Sequence, residues 1–189
     1  MAKSLRRPVA LASVASPSVH LARFIAKFMP AMQAMTKSVL RKMRLHFPGA
    51  TEMVYDNYQA LVIGFCPNDH ASDVICSIAV YPRWINLYFF EGDTLPDPEG
   101  LLQGNGNLVR RIVLQHTDDL DRPAVQALIQ RAIDRADPPL NLGAKRRLLI
   151  KAISAKQRPR RPKHTQGGDF SPRRAVKRAS RPRIAIADD

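Results

Sequence analysis

The sequence predicts an α+β fold, with N-terminal helices and one C-terminal helix packed on a curved, mainly antiparallel sheet of about five strands. Three observations lead there. Apolar residues recur at helical spacing from Val19 to Met43 and again from Val125 to Ala136. Between residues 59 and 115 the period shortens to two. The connections among the first three strands are too short for a crossover helix, so those strands pair as an antiparallel meander.

Residues 1–18 read as a flexible N-terminal arm. Their basic start and PVALASVAS stretch faintly resemble a secretory signal, but the apolar segment is short and broken by Ser. Leu21, Phe24, Ile25 and Phe28 share one face of a first helix. Pro30 interrupts that pattern and suits the first turn of a second helix, whose stripe is Met32, Met35, Val39, Leu40 and Met43. Lys37, Arg41 and Arg44 line another of its faces, and Phe47-Pro48-Gly49 ends it.

QALVIGFC (59–66), DVICSIAVY (73–81) and WINLYFF (84–90) are the first three strands, the last two joined by a tight Pro82-Arg83 reversal. A loop rich in turn residues and acids follows (91–106), and NLVRRIVLQ is the fourth strand. Asp118, Asp119 and Asp121 gather where the last long helix begins, and Pro123 fits its first turn. RRLLIKAIS is read as a closing edge strand, Lys151 suiting an edge, although its consecutive apolar residues would fit a short helix nearly as well. The domain is expected to span 19–157. Residues 158–189, rich in Pro, Arg, Ser and Gly, read as a disordered basic tail.

The net charge of +14 divides unevenly. Residues 1–50 carry nine Lys/Arg and no acid, residues 51–139 have a net of −7, and residues 140–189 a net of +12. A nucleic-acid surface on the middle is therefore disfavoured, because phosphate binding needs a positive face. No apolar run approaches the roughly 18 residues of a membrane span. Two cysteines, Cys66 and Cys76, lie inside predicted strands without CxxC spacing, which suits core thiols in a reducing, cytoplasmic setting.

Four groups of residues could carry chemistry. Glu91, Asp93 and Asp97 in the loop, with Asp119 at the helix start, would offer hard oxygen ligands to a divalent cation or iron if loop and helix converge. Tyr55 and Tyr58, just before the first strand, could wall a small-ligand pocket floored by the sheet, and Trp84, a core candidate first, is the other aromatic that could bind a ligand. Arg110 and Arg111 follow a glycine-rich turn that could hold an anion, and alternation aims them at opposite faces. Arg158, Arg160, Arg161, Arg173, Arg174, Lys177 and Arg178 could bind polyanions, including nucleic acid, without sequence preference. His116, beside the Asp cluster, is the histidine with plausible partners, as a ligand or as a base, and neither a Walker loop nor a nucleophile elbow is present.

FPGATEMVYDNYQALVIGF, SIAVYPRWINLYFFEGDTLPDPEGLLQGNGNLVRRIVL and DLDRPAVQALIQRAI together resemble the YdhG-like domain-of-unknown-function family of small bacterial proteins, across roughly residues 19–157. The resemblance implies helices on a curved antiparallel sheet, related in shape to frataxin-like proteins, and an iron-chaperone-like role for some members. A frataxin-type iron surface is an acidic ridge on the first helix, whereas residues 30–47 here are basic and hold no acid. Any carboxylate site would use the loop instead. The expectation is a non-catalytic binding module for a small ligand or metal. The alternative is a nucleic-acid-associated accessory protein acting through its basic ends. An enzyme built on His116 and the nearby acids comes third.

Overall fold

The computed structural model describes residues 15–161. Helices α1 (Pro17–Ala26) and α2 (Pro30–His46) precede strands β1 (Thr51–Asp56), β2 (Leu61–Cys66), β3 (Cys76–Val80), β4 (Ile85–Phe89) and β5 (Arg110–Leu114). Helix α3 (Pro123–Asp134) and strand β6 (Arg147–Ile153) complete the order. All three helices start with proline in the first turn, where its missing N–H costs nothing. The sheet order is β5-β4-β3-β2-β1-β6. Every pairing is antiparallel except that of β1 with β6, so β6 is the expected edge strand in a parallel register.

The helices cover one face of the sheet. Phe28, Phe47, Phe65, Phe89 and Leu114 are fully buried there, and the Phe47 and Phe65 rings stack with centroids 5.0 Å apart. Strand alternation supplies that face: Ile63, Ile78, Leu87 and Ile112 lie across from one another in register and belong to one core. Gly49 makes the turn from α2 into β1 with φ of +80°, and a Cβ there would meet the Asn141 carbonyl oxygen at 2.3 Å. Only glycine fits both constraints.

The sixth strand, β1, is the one the sequence pattern missed. Its core-facing positions are Glu52, Val54 and Asp56, so two carboxylates stand where apolar residues signal a strand. Both acids are fully buried and paired. Arg44 from α2 grips Glu52 with Nε and Nη2 at 2.7 Å each, and Arg146 adds a contact at 3.3 Å. Asp56 accepts from Lys27, just after α1, at 2.5 Å and from Arg160 at 3.1 Å. The basic face of the N-terminal helices is thus partly inward.

Arg160 also corrects the expected boundary. The sequence assigns it to the basic tail as a polyanion contact, yet it is 4% exposed. Its Nη2 donates to Asp56 and to the Asn57 carbonyl, and its guanidinium sits 5.6 Å from the centre of the Phe28 ring. Buried Asp56 needs a cation that the domain up to 157 supplies only through Lys27, whose side chain is 38% exposed. Arg160 therefore belongs to the folded domain rather than to the tail. A second correction concerns the Asp cluster. Asp118, Asp119 and Asp121 belong to a separate 3-10 turn (Thr117–Asp121), and the first turn of α3 holds no acid. Asp118 and Asp121 pair with Lys42 of α2.

Replacing Arg160 by Ala should cost about 3 kcal/mol in urea unfolding, the low end for a buried pair losing a partner, because Lys27 stays on Asp56. Arg158→Ala and Arg161→Ala, at exposed positions, should stay within about 0.5 kcal/mol. Burial lowers the pKa of half-buried His46 below its ordinary 6.5. Its contribution to stability is complete above 6.5 and is lost as pH falls through the lowered value. His46→Gln should therefore flatten the fall in Tm over that window relative to the parent.

Candidate functional site

Because the helices occupy one face, the opposite face of the sheet and its two ends are left for binding. Along that outer face run Met53 and Tyr55 of β1, Val62 and Gly64 of β2, Ser77 and Ala79 of β3, Asn86 and Tyr88 of β4, and Arg111 of β5. Small residues at the centre and tyrosines around them leave a shallow floor. Tyr81 continues the row. Its hydroxyl is pushed up to about 12 by burial first, and then by the neighbouring Tyr88. Asn86 donates to the Tyr88 hydroxyl at 3.1 Å, and its own side-chain oxygen is buried without a partner.

Three concavities open around this frame. The first, about 230 Å³, lies where the loop after β4 meets the C-terminal turn of α3. Phe89, Leu95, Leu108, Val109, Ala132 and Ala136 give it apolar walls, while Asp73, Glu91, Arg135 and Asp137 also line it. The second, about 410 Å³, is at the other end of the sheet, between the β3–β4 turn and residues 158–161. The third, about 240 Å³, lies on the outer face and is lined by Tyr55, Val62, Gly64 and Ser77, with Val74 and Phe90 shared with the first.

Hydrogen bonds hold the wall of the first cleft. The Asp93 N–H donates to the Leu108 carbonyl at 3.0 Å, tying the ends of the loop together. Arg135 donates to the Thr94 carbonyl at 2.7 Å and Arg131 to the Pro96 carbonyl at 3.1 Å, fastening the loop to α3. Gly92 lies directly on β5, where a Cβ would meet Arg110 Cβ at 2.6 Å and its backbone nitrogen at 2.9 Å.

The predicted site residues are divided among these places. Tyr55 lines the third concavity, on the outer face of the sheet. Tyr58 is exposed outside it, its carbonyl accepting from the Arg158 N–H. Trp84 lines the second groove. Arg110 turns back on its own loop, donating to the Gly106 and Val109 carbonyls, whereas Arg111 is on the outer face near Tyr81. Neither lines any of the three concavities.

The carboxylate ligand set is not brought together. Asp97 accepts from the Leu102 N–H at 2.7 Å, and Asp119 from the Gln115 and His116 N–H groups at 2.7 and 2.9 Å. Those acids organise local backbone. No group of three or more His, Cys, Asp or Glu placed to hold a metal occurs among the described residues. Cys66 and Cys76 are buried, burial pushing Cys66 up to about 12 and raising Cys76 as well, so both are core thiols. Arg158 and Arg161 line the second groove, Arg160 lies in the interior, and Arg173, Arg174, Lys177 and Arg178 lie outside the described residues.

No family model, curated protein or solved structure matches the chain. No helix among the described residues is long and apolar enough to cross a membrane.

Sequence reasoning missed the α3 contribution to the first cleft. The signal was present: Ala132 and Ala136 are the small members of an otherwise large apolar stripe, and small side chains leave space beneath them. Gln59, Tyr81 and Arg83 were missed because the elements that approach one another at the second groove are remote in sequence. Gly92→Ala should push the loop off β5, costing about 1–3 kcal/mol in denaturant unfolding. Faster amide exchange confined to the loop should accompany it.

Proposed function

We propose that the chain is a non-catalytic binding module that takes a small apolar ligand in the cleft between the loop after β4 and the end of α3. The supporting observation is apolar surface left in water at one place. Phe90, Leu108 and Val109 are 36%, 58% and 37% exposed and all line this cleft. Exposed apolar side chains gathered at one concavity mark a surface that gains free energy when covered. Asp73, Glu91 and Asp137 outnumber Arg135 among the lining residues, which favours a neutral molecule or an amphipathic amine over a carboxylate. The adjoining outer-face concavity shares Val74 and Phe90, giving a longer ligand room to continue toward Tyr55. The YdhG-like, frataxin-shaped reading belongs to the same proposal, supported by helices on one face of an antiparallel meander. Iron has less support than an organic ligand, because the candidate acids do not converge.

A thermal-shift screen with apolar amines, neutral apolar molecules and fatty acids tests this reading. A ligand present at a hundred times its Kd adds about 2.7 kcal/mol to the folded state. Amines or neutral molecules should raise Tm, and Ala132→Phe, which fills the cleft, should abolish the rise. An equal rise in that variant, or a response to fatty acids alone, would remove the cleft as the site.

A further inference from the structure

The second groove has different chemistry from the cleft just described and lies at the opposite end of the sheet. The β3–β4 connection is a two-residue Pro82-Arg83 turn closed by the Tyr81 N–H donating to the Trp84 carbonyl at 2.9 Å. That turn brings the Tyr81 and Trp84 rings together, with centroids 5.1 Å apart and planes 20° apart. Trp84 is nevertheless 42% exposed. Arg83, Arg158 and Arg161 line the groove beside it with Gln59 and Pro159, and no acid among the described residues does so.

The two arginines after β6 are held against the groove. Gln157 donates to the Asp56 carbonyl and the Arg158 N–H to the Tyr58 carbonyl at 2.9 Å. Between Arg158 and Arg161, the buried Arg160–Asp56 pair fastens the segment to the core. Arg161 then reaches the Ala26 carbonyl at 3.4 Å. Position is thus set by the fold, while Arg158 and Arg161 remain exposed. Directly after Arg161 the sequence continues for 28 residues carrying seven Lys/Arg and three acids.

We infer that this groove binds single-stranded nucleic acid, with a base stacked on Trp84 and the backbone phosphates taken by Arg83, Arg158 and Arg161. An exposed indole beside planar guanidinium groups satisfies both halves of such a ligand. Stacking accepts any base, and arginine forks match phosphate oxygens. A duplex, whose bases are already stacked, offers Trp84 nothing.

Trp84 is the only tryptophan in the chain, so its fluorescence reports on this groove alone. The full chain is titrated with a ten-residue oligothymidylate, with a duplex of equal length, and with thymidine monophosphate. The oligothymidylate should quench the emission to saturation, and more tightly than the monophosphate by at least tenfold. The duplex should leave the emission unchanged. Followed by anisotropy of labelled oligothymidylate, Trp84→Leu should weaken binding by about tenfold. Arg158→Ala and Arg161→Ala should each reduce the slope of log affinity against log salt by about 0.7. Trp84→Phe, which keeps a stacking ring, should restore most of the affinity lost in Trp84→Leu and so separates stacking from misfolding.

Three results would overturn the inference. One is binding without quenching, which would assign affinity to the basic segment alone. Another is equal affinity for duplex and single strand. The last is saturation by the monophosphate at the same concentration as the oligonucleotide. None of these depends on the apolar cleft, where Ala132→Phe should leave oligothymidylate binding unchanged.

Discussion

Two buried carboxylates on one strand constrain the rest of the architecture. Glu52 and Asp56 point from β1 into the core, and a carboxylate taken out of water there must be met by a cation and by hydrogen bonds. The cations come from separate parts of the chain: Arg44 from α2, Arg146 beside β6, Lys27 beside α1, and Arg160 from beyond the last strand. Each pair ties its element to the same strand. Hydrophobic packing would tolerate small slides of the helices over the sheet, whereas the two-point contact of Arg44 on Glu52 fixes direction as well as distance. Such pairs add little net stability over apolar substitutes; they favour one arrangement among several of similar compactness.

That arrangement decides which surfaces of the sheet stay open. With α1, α2 and α3 on one face and the ion pairs at β1, the outer face carries small residues and tyrosines, and the sheet ends are free. One end collects the turn before β3, the loop after β4 and the last turn of α3 around apolar walls with a mainly acidic rim. The other collects the β1–β2 and β3–β4 turns and the segment held by Arg160, with arginine and exposed indole. Side chains of opposite charge thus gather at opposite ends of one sheet on a single domain. The same ion pair that closes the core also positions Arg158 and Arg161, so stability and surface charge share a residue pair.

The core was largely legible in the sequence because burial writes itself as periodicity. β2 to β5 fall within the four segments of period two, and the apolar stripes of all three helices supply buried core residues. β1 was hidden because Glu52 and Asp56 occupy its inward positions, so the pattern read as polar. The loop after β4 lines the first cleft. Its acids do not act together, because Asp97 and Asp119 each close a local backbone turn.

The amino-acid order alone determined the α+β class, the meander and the positions of the helices, since these follow from side-chain periodicity and short connections that need no knowledge of distant neighbours. Tertiary structure alone decided which charges turn inward and which residues meet in the grooves. Arg158 and Arg160 are two positions apart in a stretch of uniformly basic character, yet one lies in water and the other beneath the Phe28 ring. What separates them is a partner more than 100 positions away, Asp56, and a coulombic contact of that range leaves no trace in local sequence.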